Sequence, residues 1–289
     1  MKVLVTGSEG FLGKHVSVAL KAKGHQVVGL DSAPTAEIIA DITKVMPIMQ
    51  VDAVIHLAAV ASPNVCAANP ELAFNVNVNG THQVLRLALE SGAKKFVFSS
   101  SAHVYGVGPK YLPTDEYHPL WLQNVYATTK ILGEQLCQLF YDNHGLSYTT
   151  LRLFNAYGPG QGTGYFVPDM IRQAANGRIH LQGPSTTKDW IYIDDVVEAF
   201  GRAVETAYVG PINIGSGIAT SLGTVAKTIA DDMNAVYAFT IAPNATNMRA
   251  DIGRAWCVLN WTPKVDIHGG LRATLEHAKV TAVAPEPPN

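Results

Sequence analysis

The sequence predicts an α/β protein built on an open, doubly wound parallel sheet with a smaller C-terminal lobe, and three observations carry that expectation. Near-continuous apolar runs such as Ala53-Val54-Ile55-His56-Leu57-Ala58 and Lys95-Phe96-Val97-Phe98-Ser99 read as strands covered on both faces. These runs alternate with helical patterns through the first half of the chain. The opening strand, Lys2-Val3-Leu4-Val5-Thr6, runs into glycines at 7, 10 and 13 and then into a helix, which is the turn of a Rossmann-type dinucleotide site.

Taken in order, the strand at 2–6 ends on Gly7, where the turn is tight only without a side chain. Gly10 lets the backbone approach a pyrophosphate, and Gly13 lets the helix at 11–23 sit close to the sheet. The strand at 26–31 closes on Asp31, a carboxylate suited to the two ribose hydroxyls. Ser32, Ala33 and Pro34 follow it, with no arginine or lysine to hold a 2′-phosphate, so NAD is expected rather than NADP. From Asp31 to Asp41 the chain is short for a crossover helix and reads as a trimmed loop, followed by a brief helix near 43–49. Strands at 53–58, 94–99 and 147–153 then alternate with helices at 71–91 and 124–143. Beyond them a glycine-rich loop at 154–164 covers a ligand or links two lobes. A helix at 166–176, a strand near 179–182, a last strand at 211–214 and helices near 221–233 and 268–282 complete the chain. The expected division is a dinucleotide-binding domain at 1–154, with 188–215 returning to it, and a small substrate-binding lobe from 155–187 and 216–289.

A chain of 289 residues, 47% hydrophobic and 15% charged, fits a globular enzyme and excludes a disordered or coiled-coil protein. The net charge of −2, with no basic block, leaves nucleic acid no electrostatic footprint. Cys66, Cys137 and Cys257 are far apart in apolar company and read as buried thiols in a reducing compartment, not as a disulfide framework or a metal site. No apolar stretch reaches 18 residues and the first strand begins at residue 2, so the expectation is a cytoplasmic protein without a membrane partner. The proline-rich tail at 283–289 cannot continue the preceding helix.

The candidate chemistry lies in Tyr126 and Lys130, four apart on a helix and so on one face. A nearby ammonium favours the phenolate, and Ser101, at the end of the strand Phe96-Val97-Phe98-Ser99-Ser100-Ser101, supplies a hydroxyl for the substrate oxygen. His103 beside it reads as pocket lining and His56 as structural. Asp194 and Asp195 read as caps of the following helix rather than metal ligands, and Asn79 as a hydrogen-bond partner of the active-site strand backbone. The four tryptophans, Trp121, Trp190, Trp256 and Trp261, read as core or interlobe packing.

These motifs resemble those of the extended short-chain dehydrogenase/reductases, and within them the nucleotide-sugar epimerase/dehydratase group, above all the 4-epimerases of UDP-glucose. The resemblance rests on Thr6–Gly13, Val54–Ala59, Asn77-Val78-Asn79-Gly80-Thr81, Ser99–Gly106, Tyr126-Ala127-Thr128-Thr129-Lys130, Leu151–Pro159 and Asp189–Val197, in order along nearly the whole chain. It implies that NAD is held by Gly7, Gly10, Phe11, Leu12 and Gly13, by Asp31 and Ser32, by Asp41 and Ile42, by Leu57, Ala58 and Ala59, and by Ser99, Tyr126 and Lys130. It implies a nucleotide-diphosphate sugar bound by Ser101, Ala102, His103, Tyr126, Asn155, Lys188 and Arg249, with Ser101, Tyr126 and Lys130 catalytic. Arg249 matches the family's diphosphate arginine. Lys188-Asp189 stands where arginine and aspartate are usual, and lysine keeps the charge but lacks the two-pronged fork. The implied reaction is transient oxidation at sugar C4, rotation of the 4-keto intermediate and hydride return, in the UDP-glucose/UDP-galactose sense. A net NAD-dependent sugar or nucleotide-sugar dehydrogenase or reductase remains the alternative. A dehydratase is disfavoured, because the family's Asp-Glu pair is replaced by Ala102-His103. A homodimer paired through helices 71–91 and 124–143 is the implied assembly.

Overall fold

The computed structural model describes residues 1–283, so the expected tail falls, from 284 on, outside the described residues. In chain order the elements begin with β1 (Lys2–Thr6), α1 (Phe11–Ala22), β2 (Gln26–Asp31), β3 (Ile38–Ile39), β4 (Ala53–His56), α2 (Pro63–Ala68) and α3 (Pro70–Phe74). A π-helical turn (Asn75–Gly80) leads into α4 (Thr81–Glu90), β5 (Lys95–Ser101) and α5 (Val125–His144). Then come β6 (Ser147–Leu153), β7 (Asn155–Tyr157), α6 (Phe166–Ala175), β8 (Arg178–Gln182), β9 (Thr187–Tyr192), α7 (Ile193–Ala203) and β10 (Gly210–Ile214). The chain closes with β11 (Ala219–Ser221), α8 (Leu222–Asp232), β12 (Val236–Thr240), α9 (Gly253–Leu259) and α10 (Ile267–Val283).

Seven strands form one parallel sheet in the order β10-β6-β5-β4-β1-β2-β3. The strand order reverses between β1 and β4, which opens a crevice at their carboxyl ends. Period-two alternation sends Val3, Val5 and Ile55 into one core and Leu4, Val54 and Phe96 into another on the opposite face. That double coverage explains the near-continuous apolar runs. Two smaller sheets, β11-β9-β7 and β12-β8, stand beside the main one.

Several local expectations need correction. No helix forms at 43–49: the Asp41 carboxylate accepts from the Thr43 amide and hydroxyl, both at 2.8 Å, and this local turn competes with a helix that Pro47 would interrupt in any case. The long helix expected at 71–91 is instead α3, the π turn and α4. The short strands β7, β9, β11 and β12 lack a clear periodicity. Cys66 and Cys137 are buried, but Cys257 is exposed. Trp190 and Trp261 are buried, whereas Trp121 and Trp256 are 54% and 61% exposed. Asp195 does not cap its own helix: its carboxylate accepts from the Lys264 and Val265 amides at 2.9 and 3.0 Å, tying α7 to a distant loop. No helix among the described residues is long and apolar enough to cross a membrane.

His56 is structural, and its hydrogen bonds fix its tautomer. The Thr81 hydroxyl donates to the Asn77 carbonyl at 2.6 Å, which leaves it to accept from His56 Nε2 at 3.0 Å; His56 Nδ1 therefore accepts from the Thr6 hydroxyl at 2.6 Å. Burial first, and then the Lys130 charge, pulls the His56 pKa down to about 3. Below pH 6.5 the unfolded chain binds this proton and the folded chain does not. Stability therefore falls as pH drops from about 6.5 toward 3, by up to about 1.4 kcal/mol per pH unit from this one residue. Urea unfolding of His56→Gln at pH 5 and pH 7 should show a shallower pH dependence than the wild type. An unchanged slope would remove His56 from the account.

Candidate active site

The crevice at the strand ends is a cavity of about 850 Å³, and it gathers the residues expected from sequence into two ends. One end is built on β1, β2 and the loop after β4. Gly7 adopts φ +71°, and a Cβ there would come within 2.6 Å of the Ala58 amide nitrogen. At Gly13 a Cβ would fall on the Gly7 carbonyl oxygen. Gly10 opens α1 with no side-chain cap, and Gly10, Phe11, Leu12 and Gly13 of this helix start line the cavity. An uncapped helix start behind a glycine turn fits a pyrophosphate. Asp31 accepts from the amides of Glu9 and Ala33 at 3.0 and 3.1 Å, which fixes its carboxylate at the rim. Ser32, Asp41, Ile42, Leu57, Ala58 and Ala59 line the same end.

At the other end β5 and α5 meet. Ser99, Ser101, Ala102, His103, Tyr126, Lys130, Asn155 and Lys188 line the cavity there. Asn124 caps α5 by accepting from the Ala127 amide at 2.9 Å, and this fixes the first turn that carries Tyr126. The Lys130 ammonium donates to the Ser99 carbonyl at 2.8 Å and lies 5.8 Å from the centre of the Tyr126 ring. Burial pulls the Lys130 pKa down to about 8. Burial pushes the Tyr126 phenol above its ordinary value, opposed by its hydrogen bond with Ser101. The His103 ring stands edge-on to Tyr126, with centroids 5.5 Å apart, and burial, then the Lys188 charge, lowers its pKa.

Every site residue expected from sequence lines this cavity except Arg249. That residue is half-buried, and its carbonyl accepts from the Thr114 amide at 2.8 Å, while its neighbour Met248 reaches the cavity wall. The cavity also takes in residues that the sequence did not assign to the site: Glu9, Val60, Gln161, Tyr165 and Phe166, together with Trp190, which from sequence reads as packing. Asn77 performs the backbone-holding role expected of Asn79. Its side chain accepts from the Val60 amide at 2.7 Å and donates to the Val60 carbonyl and the Thr129 hydroxyl. Asn79 instead donates to Asn75 one turn away. Asn77 lies in the π turn, the type of helical irregularity that recurs at functional sites and that sequence periodicity does not reveal.

A doubly wound parallel sheet, a glycine turn closed by an acidic strand end, and a serine, tyrosine and lysine meeting in one crevice define the extended short-chain dehydrogenase/reductase class. Residues 3–215 match the NAD dependent epimerase/dehydratase family, and the chain belongs to that family. It is 31% identical to a UDP-glucose 4-epimerase of Mycolicibacterium smegmatis, over 96% of this chain and 98% of that protein. It is 30% identical to UDP-glucuronic acid decarboxylase 6 of Arabidopsis thaliana, over 94% of this chain and 87% of that protein. Among solved structures, MoeE5 in complex with UDP-glucuronic acid and NAD superposes with a TM-score of 0.90 at 26% identity, covering 97% of this chain and all of that one. NAD is accordingly the cofactor.

The carboxylates lining the cavity, Glu9, Asp31 and Asp41, all belong to the end built on β1 and β2. A 2′-phosphate there would face like charge. NADP is expected to bind at least about tenfold more weakly than NAD, and Asp31→Ala should narrow the gap. Equal affinities of the wild type in a fluorescence titration would refute this.

Proposed function

We propose that the protein is a 4-epimerase of a nucleotide-diphosphate sugar of the glucose/galactose configuration, with Ser101, Tyr126 and Lys130 as its catalytic residues. The observation that carries this reading is the meeting of these three side chains at one end of a cavity whose other end fits a dinucleotide. Gly7, Gly10, Gly13 and Asp31 would hold the NAD pyrophosphate and ribose, and Lys130 its second ribose. When bound, NAD would supply reversible hydride acceptance at the sugar C4.

The remaining work falls to the chain. Ser101 holds the C4 oxygen by a hydrogen bond, and Tyr126 takes the hydroxyl proton and later returns it. Lys130 provides positive charge beside the phenol and fixes the Ser99 strand end. Asn155 is positioned for the sugar nucleotide by donating to the Asp189 carbonyl at 3.0 Å. Among the described residues, no carboxylate lines the cavity beside Ser101 and Tyr126 for the added acid and base that water elimination requires. The relatives' names support a nucleotide sugar as substrate, and the 4-epimerases among them support the reaction chosen. Helices α4 and α5, with Leu139 exposed between them, are the expected homodimer face.

Incubation with UDP-glucose and no added cofactor, followed by product separation, tests the reading. UDP-galactose should form, and NAD should be extractable from the denatured protein. Turnover only with added cofactor, with one reduced cofactor formed per product, would replace the epimerase by a net dehydrogenase.

A further inference from the structure

Residues 158–165 join β7 to α6, and Gln161, Tyr165 and Phe166, from this segment and its exit, line the cavity. At its start, His15 Nε2 lies 3.0 Å from the Pro159 carbonyl oxygen. A carbonyl only accepts, so the ring donates and carries a proton on Nε2. His15 sits on α1 one turn after Phe11, and its ring meets the Phe11 ring edge-on with centroids 5.6 Å apart. Phe11 lines the cavity, whereas His15 is not among the lining residues. At the exit, Phe166 packs on Trp190 of β9 with centroids 5.3 Å apart, and the Gly164 amide donates to the Asp169 carboxylate at 3.1 Å. The segment is thus fastened to the dinucleotide helix on one side and to β9 on the other, and Phe11 and Trp190 beside the two fastenings both border the cavity.

Between these fastenings the segment is loosely surrounded. Residues 162–165 are exposed, and a Cβ at Gly160, Gly162 or Gly164 would meet no heavy atom within 4 Å. Gly160 and Gly164 take φ of +78° and +88°, where glycine is the default residue. Gly162 has no such φ and no neighbour to avoid, so what its missing side chain brings is backbone freedom. A stretch held at both ends and bare in the middle can lift and reseat without disturbing the sheet. Among the described residues, the bond from His15 to Pro159 is the one hydrogen bond that joins the segment to α1. Lifting the segment away from the dinucleotide helix therefore means breaking that bond.

We propose that residues 159–165 form a strap that closes over bound NAD and that His15 fastens it. His15 is then a positioning residue, which stands outside the cavity lining and acts through the Pro159 carbonyl. The inference rests on NAD as the cofactor and not on the reaction at the sugar. Its consequence is kinetic. A cofactor under a closed strap leaves only when the strap lifts, so the bond to Pro159 lengthens the residence of NAD.

Exchange of the bound NAD of the loaded protein against excess deuterated NAD, followed by mass spectrometry, tests the fastening. His15→Phe keeps a ring against Phe11 and removes the donor, and it should speed exchange about 3- to 10-fold, within the range of one lost hydrogen bond. His15→Gln keeps a donor and gives up the ring, and it should exchange at a rate closer to the wild type. Wild-type exchange in His15→Phe overturns the proposal. Exchange as fast in His15→Gln as in His15→Phe assigns the effect to the ring packed on Phe11 and overturns it too. The wild type alone provides a second test, which does not depend on how a variant folds. Amide hydrogen exchange across residues 160–165 should slow when NAD is loaded, and equal exchange with and without NAD shows that no strap closes. Formation of UDP-galactose is read separately, so the strap and the epimerase reading can each fail alone.

Discussion

Tyr126→Phe is expected to lower turnover by about 10²- to 10⁴-fold while leaving the fold and NAD binding intact, the range typical for loss of a general acid–base group. The substitution deletes one oxygen from a side chain that is 8% exposed, and the ring keeps its packing against Cys66 and Ala73. What it removes is the hydrogen bond with Ser101 and the group proposed to exchange a proton with the C4 oxygen. The structure sharpens the electrostatics expected from sequence. Burial by itself drives the phenol upward, so the chain alone holds Tyr126 protonated at neutral pH, ready as an acid. To act as a base it needs positive charge, from Lys130 and from the oxidised nicotinamide. The pH–rate profile of the loaded enzyme should therefore rise through a pKa below the roughly 10 of free tyrosine, and in Lys130→Met that limb should move upward. Absorbance titration of the NAD-free protein should show no Tyr126 ionisation in the range where the loaded enzyme titrates. Near-wild-type turnover by Tyr126→Phe, under conditions where chemistry limits the rate, would end the catalytic assignment.

What the sequence made legible was local. Gly7, Gly10 and Gly13 and the acid at Asp31 belong to one strand-turn-helix-strand unit, and the backbone geometry of that unit is dictated within about thirty residues. Tyr126 and Lys130 share a helix face by spacing alone, and the apolar runs of β1, β4 and β5 announced their double coverage. The features that escaped are non-local. Trp190, Met248 and Tyr165 reach the cavity from segments joined only by folding, through β9 pairing with β7 and through the Asp189 carboxylate gathering Ser216, Gly217 and Ala250. Asn77 and Asn79 are equivalent in sequence spacing, and only the π turn decides which of them faces Val60. Asp195 looked like a cap because it opens a helix, yet its partners lie some seventy residues further on. The absence of Arg249 from the cavity lining reflects a backbone bridge from Thr114 to Ala250, which no pattern in the sequence announces.

Arg152→Met is expected to destabilise the protein by about 3–5 kcal/mol, the cost of leaving a buried carboxylate without its cation. Arg152 on β6 and Glu134 on α5 are 4% and 7% exposed, and they meet in a two-pronged contact with distances of 3.0 and 2.6 Å. The same carboxylate accepts from the Ser100 hydroxyl at 2.6 Å, directly between Ser99, which anchors Lys130, and Ser101. The remaining guanidinium nitrogen donates to the Tyr105 hydroxyl at 3.0 Å and the Glu116 carbonyl at 3.2 Å, and Tyr105 passes the chain on to Asn213 at 2.6 Å. The network thus clamps the end of β5 to α5, β6 and β10 beneath the reacting groups. Desolvating both charges offsets much of their attraction, so the pair contributes less than the loss of either member alone. A double replacement, Glu134→Leu with Arg152→Met, should accordingly recover a large part of the stability lost by Arg152→Met. It should not recover activity to the same degree, because Ser100 loses its acceptor and the strand end its anchor. Urea unfolding of the two variants beside the wild type measures the first effect, and turnover at saturating substrate the second. A single-variant cost below about 1 kcal/mol, the scale of an exposed pair, would show that water reaches these charges and that the clamp does not hold the site.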